Sequence, residues 1–225
     1  MRRFALLVAA TMLAFAVPAL ADTGEFPIKA DDGTVIANHR LPAGLEAQIE
    51  KAPGAMVAGN PKGKVTLIEF YDLNCPYCRR ASTDIDALMK KTPELRLVLV
   101  PFPVLGIPSI QGARVELAVA QLAPEKFYAF HRAVYAGRGI IDGQRAFAAA
   151  QSLGIDMAKV EQIANSDALV DVMKAHLRLG DAAGIQATPG LIVKGVAIVG
   201  YPGANSLAQL VANAQRCGAV VCGKK

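Results

Sequence analysis

Val65-Thr66-Leu67-Ile68-Glu69-Phe70-Tyr71 runs through Asp72-Leu73-Asn74 straight into Cys75-Pro76-Tyr77-Cys78. The first seven residues are β-branched, apolar and aromatic, the make-up of a strand buried on both faces. Asp72-Leu73-Asn74 reads as a turn. Pro76 falls at a first helical position, where a missing N–H costs nothing. Ile85, Leu88 and Met89 keep helical spacing until Pro93 stops the helix. Leu95-Arg96-Leu97-Val98-Leu99-Val100 is a second strand. Strand, helix and strand in this order imply a parallel pair with a right-handed crossover.

Further along, from about Ser109 to Ala182, the apolar spacing turns helical. Phe127, Phe130 and Val134 share one face, as do Val160 and Ile163, and Val172, Met173, His176 and Leu177. Gly154 and Gly180 punctuate the stretch, and no strand pattern stands out in it. Leu191-Ile192-Val193 and Val196-Ala197-Ile198-Val199 then flank Lys194-Gly195, a tight antiparallel hairpin. Leu207, Leu210, Val211 and Ala214 mark a closing helix. The order is βαβ, helical insert, ββα: an α/β fold with a central mixed sheet and an inserted helical subdomain. Residues 62–108 and 183–216 would form the α/β unit and 109–182 the insert. Residues 22–61 read as an N-terminal extension with a short helix at Leu45–Ile49 and a short strand at Ala55–Ala58, and 217–225 as a tail.

The first 21 residues read as a signal peptide. Met1-Arg2-Arg3 is followed by an apolar run from Phe4 to Val17 and then Pro18-Ala19-Leu20-Ala21, a small-x-small site with cleavage expected after Ala21. The run falls short of the ~20 apolar residues a spanning helix needs, and an uncleaved anchor is the alternative. Removing 21 of 225 residues leaves 204, enough for one domain to bury its own core. Losing Arg2 and Arg3 lowers the formal charge from +5 to +3. No run of Lys or Arg suggests nucleic acid, and the surplus reads as solubilising surface.

Four cysteines behind an export signal favour two disulfides in an oxidising compartment. Cys75-Pro76-Tyr77-Cys78 sits at a strand-to-helix junction, where a thiolate meets free backbone N–H groups and the positive end of the helix dipole. Cys75, first and more exposed, reads as the nucleophile, and Cys78, one turn in, can attack a mixed disulfide. Arg79 and Arg80 add positive charge nearby. Two other readings stay open: half of a zinc site with Cys217 and Cys222, and a structural staple. The four-residue gap of the second pair and the export signal weigh against zinc. A two-residue loop at a helix start is an unusual place for a staple. Cys217 and Cys222 read best as a local disulfide, with free thiols or a second exchange site as alternatives. His39, His131 and His176 do not pair at metal spacing, and His176 reads as a satisfied core residue. No cofactor is implied. Phe102-Pro103-Val104-Leu105-Gly106 reads as an apolar substrate groove or a buried connector.

The strand, the CPYC motif and the later Ala187-Thr188-Pro189 resemble the thioredoxin superfamily. With the helical insert, residues 62–216 resemble the DsbA-like branch of exported thiol:disulfide oxidoreductases. The resemblance implies a thioredoxin fold, a periplasmic location and a cis Pro189 beside the cysteines. Thr188 would present its backbone to an extended substrate, and its side chain would touch the sulfurs. Acids occupy the matching strand position in DsbA-like proteins. Glu69 is therefore expected to be a buried acid of raised pKa beside Cys78, moving a proton during exchange; a solvated strand face is the alternative. Implied partners are unfolded or partly folded secreted proteins with free or mispaired cysteines, and a membrane redox protein, DsbB-like or DsbD-like. Tyr77 stands where strong oxidants of the branch carry histidine. CPYC with Thr before the cis proline also resembles DsbG- and ScsC-like isomerases, reductants or thiol protectors. Those dimerise through an N-terminal extension, for which residues 22–60 are a short candidate. Oligomeric state stays open.

Overall fold

The computed structural model describes residues 24–223; the expected signal peptide and its cleavage site lie outside them. Six strands form one mixed sheet in the order β1-β6-β5-β3-β4-β2. The centre is β3 (Val65–Tyr71), parallel to β4 (Leu95–Pro101) and antiparallel to β5 (Gly190–Val193). Both of its faces are packed, so it is apolar along nearly its whole length rather than alternating. One face meets the helices Pro76–Lys91, Ile107–Leu122 and Ala204–Cys217, and the other meets the helix Leu45–Glu50 and the C-terminal part of the helix Asp167–Ala182. Helix α2 (Pro76–Lys91) makes the crossover from β3 to β4. β5 and β6 (Val196–Val199) form the hairpin, with Lys194 and Gly195 at φ of 50° and 72°, the left-handed pair that a two-residue turn requires.

Residues 38–59 supply both edges of the sheet. β1 (Asn38–Arg40) pairs with β6, α1 (Leu45–Glu50) follows, and β2 (Met56–Gly59) pairs with β4. The helix and the second strand fall where the spacing predicts. β1 was not legible, because its three residues are all polar. It is held by pairing and by Asn38, whose side chain accepts from the Phe26 N–H and donates to the Phe26 and Ile36 carbonyls.

Between β4 and β5 lie five helices: α3 (Ile107–Leu122), α4 (Phe127–Ala136), α5 (Gly143–Ser152), α6 (Met157–Ala164) and α7 (Asp167–Ala182). α3 starts two residues ahead of the Ser109 expected from the sequence. Pro108 sits in its first turn, where proline is tolerated. α8 (Ala204–Cys217) closes the fold. The larger core lies on the sheet face of Leu67, Leu97 and Leu191, against α2, α3 and α8. Ile68, Phe70, Val98 and Val100 face the other way, onto Leu45 and Ile49 of α1 and the C-terminal end of α7.

Candidate functional site

The site assembles where β3 ends and α2 begins. Cys75 is the N-cap of α2, in extended conformation at φ −75° and ψ 121°, and its sulfur accepts the Cys78 N–H at 3.4 Å. A side chain in this position satisfies one of the helix's free donors, and a sulfur anion gains most from doing so. Cys75 Sγ also stands 3.2 Å from the carbonyl oxygen of Thr188, and the Thr188–Pro189 peptide is cis. Residues 75 and 188 thus meet across 113 positions of sequence. Thr188 meets the sulfur through its backbone carbonyl, and its side chain also bears on the Cys75 thiol. After Pro189, Gly190 lets β5 run close to Ile185: a Cβ there would lie 2.3 Å from Ile185 Cγ2.

The two sulfurs are unbonded thiols in different environments. The Cys75 thiol is held down to about 6 from 9.0. The Cys78 thiol beside it is the main cause. The Thr188 side chain and the backbone N–H groups of Cys78 and Tyr77 add to it, against the opposing effect of burial. Cys78 is fully buried, and that burial pushes its thiol well up, with Cys75 and Glu69 adding to the effect. Both cysteines are buried, Cys75 4% exposed and Cys78 not at all, so Cys75 is only marginally the more exposed of the two.

Glu69 points to the α2 side of the sheet, since alternation sets it with Leu67 and Tyr71. It is buried, and desolvation first, then the charges of Cys75 and Glu116, push its carboxyl up to about 8. The solvated-face alternative is thereby excluded. Tyr77 is half exposed beside the cysteines, with the Arg80 guanidinium 5.6 Å from its ring. Arg79 turns away from the sulfurs and donates to the carbonyls of Tyr135, Gly137 and Gly139 at the end of α4.

Sequence reasoning missed the residues that hold the motif in place. Buried Asp72 accepts the N–H groups of Asn74, Val104 and Leu105 and the Ser109 hydroxyl. Asn74 in turn donates to the Ile141 carbonyl at 2.8 Å and accepts the Ile141 N–H at 2.7 Å. The cysteine loop is thus tied to the 102–106 and 137–141 loops. The only available signal was the helix-breaking Asp-Leu-Asn turn. These loops expose Val104, Leu105 and Ile140 to solvent, and the first residue of α3, Ile107, is exposed as well. Phe102 and Pro103 are buried, so the stretch is connector at its start and apolar surface at its end.

Cys217 and Cys222 are bonded to each other, well separated in sequence from the first pair. Neither therefore has a thiolate to share with Cys75 and Cys78. Buried His176 lies between two carbonyl oxygens, Nδ1 3.0 Å from that of Pro101 and Nε2 2.8 Å from that of Pro53, and does not belong to the site. His39 contacts the Ala183 carbonyl.

A thioredoxin family model matches residues 51–213. The thiol:disulfide interchange protein DsbA of Bordetella parapertussis is 26% identical over 139 residues, 59% of this chain. That match spans 65% of DsbA's length, just under two thirds. Among solved structures, a thioredoxin-like oxidoreductase from Silicibacter pomeroyi DSS-3 is 30% identical with a TM-score of 0.70, covering 78% of this chain and 99% of that one. ScsC of Proteus mirabilis in a compact conformation shares the fold at 22% identity and a TM-score of 0.70, over 80% of this chain and 82% of its own.

Proposed function

The chain belongs to the thioredoxin family and is DsbA-like within it; on that footing we propose that it is a periplasmic thiol–disulfide oxidoreductase, exported with cleavage after Ala21, that exchanges disulfides with secreted polypeptides through Cys75 and Cys78. The observation that carries this reading is the seat of Cys75 Sγ: cap of α2, acceptor of a backbone N–H, and 3.2 Å from the carbonyl that precedes Pro189.

The chemistry follows from the unequal sulfurs. With Cys75–Cys78 bridged, a substrate thiolate attacks Cys75 Sγ, the less buried of the two sulfurs. The S–S bond breaks and Cys78 leaves, taking its proton from Glu69. A second substrate thiol then attacks the mixed disulfide and releases Cys75 as a thiolate. The substrate loses two electrons and the enzyme gains them. Cys75 leaves well because its anion is stabilised in the reduced fold, and the same stabilisation makes the bridge oxidising. The Thr188 backbone ahead of Pro189 is the edge we assign to an extended peptide, with the exposed Val104, Leu105, Ile107 and Ile140 as candidate apolar contacts. Reoxidation would fall to a membrane redox protein of the DsbB-like kind.

The isomerase or thiol-protector reading draws support from Tyr77, which brings no charge to the motif. It is weakened by residues 38–59, which are consumed in the sheet edges instead of projecting as a dimerising stalk. The deciding experiment measures the reduction potential of Cys75–Cys78 and runs two assays in parallel: oxidation of a reduced substrate and rescue of scrambled ribonuclease. An oxidising potential with the first activity supports the proposal. Rescue without oxidation assigns the isomerase role. A strongly reducing potential with neither activity reduces the pair to a staple.

A further inference from the structure

Behind Glu69 lies a second buried acid for which the exchange steps give no role. Glu116 on α3 is fully buried, and its Oε1 stands 2.8 Å from Nδ1 of His131 on α4. The His131 ring meets the Tyr71 ring edge-on at 4.9 Å and the Tyr135 ring edge-on at 5.1 Å, and lies parallel to Tyr128 at 6.3 Å. Tyr71 also shares the α2-facing side of β3 with Glu69, which brings the pair to the wall behind Cys78.

Three buried oxygens in this wall make no hydrogen bond of ordinary length, Glu69 Oε1, Tyr71 Oη and Glu116 Oε2, although the Tyr71 hydroxyl lies close enough to Glu116 for that carboxyl to oppose its ionisation. Buried polar atoms are rarely left so. A proton held on one carboxyl, or a shared internal water, would pair them. The charges are also out of balance. Among the described residues no lysine or arginine is buried, and the other buried histidine, His176, is held by the Pro53 and Pro101 carbonyls. His131 is the one base facing these acids. The titratable groups around it are Glu69 and Tyr71 from β3, Cys75 and Cys78 from α2, Glu116 from α3, and Tyr128 and Tyr135 from α4. Asp72, at the end of β3, is already engaged by four donors. With one base, only one carboxylate can be charged at low cost.

We propose that Glu116, held ionised by His131, is a positioning residue that keeps Glu69 protonated at neutral pH, ready to supply the proton to departing Cys78. The inference rests on the exchange reading. In the step concerned a substrate thiolate forms a bond to Cys75 Sγ, and the Cys75–Cys78 bond breaks with its electron pair on Cys78. The Glu69 O–H bond then breaks as its proton passes to Cys78, leaving mixed disulfide, Cys78 thiol and Glu69 carboxylate. The field of Glu116 agrees with the raised proton affinity of Glu69.

The test uses the full chain in two measurements. Stopped-flow kinetics of oxidised protein with glutathione, followed from pH 5 to 10, should show an inflection in the rate per glutathione thiolate. Glu69→Gln should remove it, and Glu116→Gln should move it down by about one pH unit, the size of a like-charge effect; Glu116→Asp should restore it. A folded Glu116→Gln protein with the inflection in place overturns the proposal. Isotope-edited infrared titration of the unmodified, reduced protein needs no variant to fold and no exchange activity. It should show one buried glutamic acid losing its proton near 8 and a second ionised throughout. Two carboxylates already ionised at pH 6, or two protons retained at pH 7, overturn the assignment. A wild type that passes the infrared test yet exchanges with no thiol sinks the exchange reading instead.

Discussion

Two cysteine pairs sit at opposite ends of helices, and the two ends treat a sulfur anion differently. Cys75 opens α2, where its sulfur meets a backbone N–H. Cys217 is the last residue of α8, where the Asn213 carbonyl oxygen lies 3.2 Å from its sulfur and Gly218 follows in the left-handed region. A helix start favours a sulfur anion and a helix end opposes it. On the exchange reading the first pair should give up its bond readily, because its reduced form is stabilised. The second gains nothing from reduction and stays bonded. Spacing alone, two residues against four, is a weaker guide than the direction of the backbone dipoles.

The largest effect expected is the loss of exchange in Cys75→Ser, by more than about 10³-fold in substrate oxidation, as for removal of any nucleophile. The comparison breaks if Cys217→Ser/Cys222→Ser does the same. That double variant should instead keep its exchange rate and lose about 2 kcal/mol of stability, measured by urea denaturation, because its closed loop is short.

Next comes a tyrosine-to-cation change. Tyr77→His should lower the Cys75 pKa by about one unit, read from thiolate absorbance, and make the bridge more oxidising; no change would mean that residue 77 does not couple to the sulfur. The pH dependence of stability comes next in size. Because the folded pKa of Cys75 is lowered from 9.0 to about 6, its contribution is complete above 9 and is lost as pH falls toward 6. Glu69 works in the opposite sense, its folded pKa raised from 4.5 to about 8, so stability falls as pH rises through that window. Subtracting the urea midpoints of reduced Cys75→Ser from those of reduced wild type isolates the thiolate, and the difference should grow between pH 6 and 9. The smallest effect is Gly218→Ala at φ 71°, about 1 kcal/mol by thermal unfolding, since nothing crowds its Cβ and only the backbone conformation resists.

The parts legible from sequence were the local ones. Pro76 after a buried strand marked the start of α2, and Lys194-Gly195 between two apolar runs marked the hairpin. Pro189 came to Cys75 through the resemblance to a family, not through any pattern in the residues. The proton-handling wall was illegible for a physical reason. Glu116 and His131 pair across two helices, 15 residues apart, and neither disturbs the apolar period of its own helix enough to stand out. His131 read as one of three scattered histidines. Asp72 and Asn74 looked like turn residues, and they are, but their side chains also bind loops more than 30 residues away.

The sheet order carries a consequence for how the chain can come together. Asn38 in β1 sits opposite Ile198 in β6, about 160 residues later, while β2, under twenty residues from β1, lies at the far edge beside β4. A polypeptide emerging from its N-terminus can therefore seat β2 once β4 is out. β1 must wait until almost the whole chain has appeared. Late, long-range closure of this kind slows folding, and it leaves β1, the first strand in the described sequence, as the last to find its place.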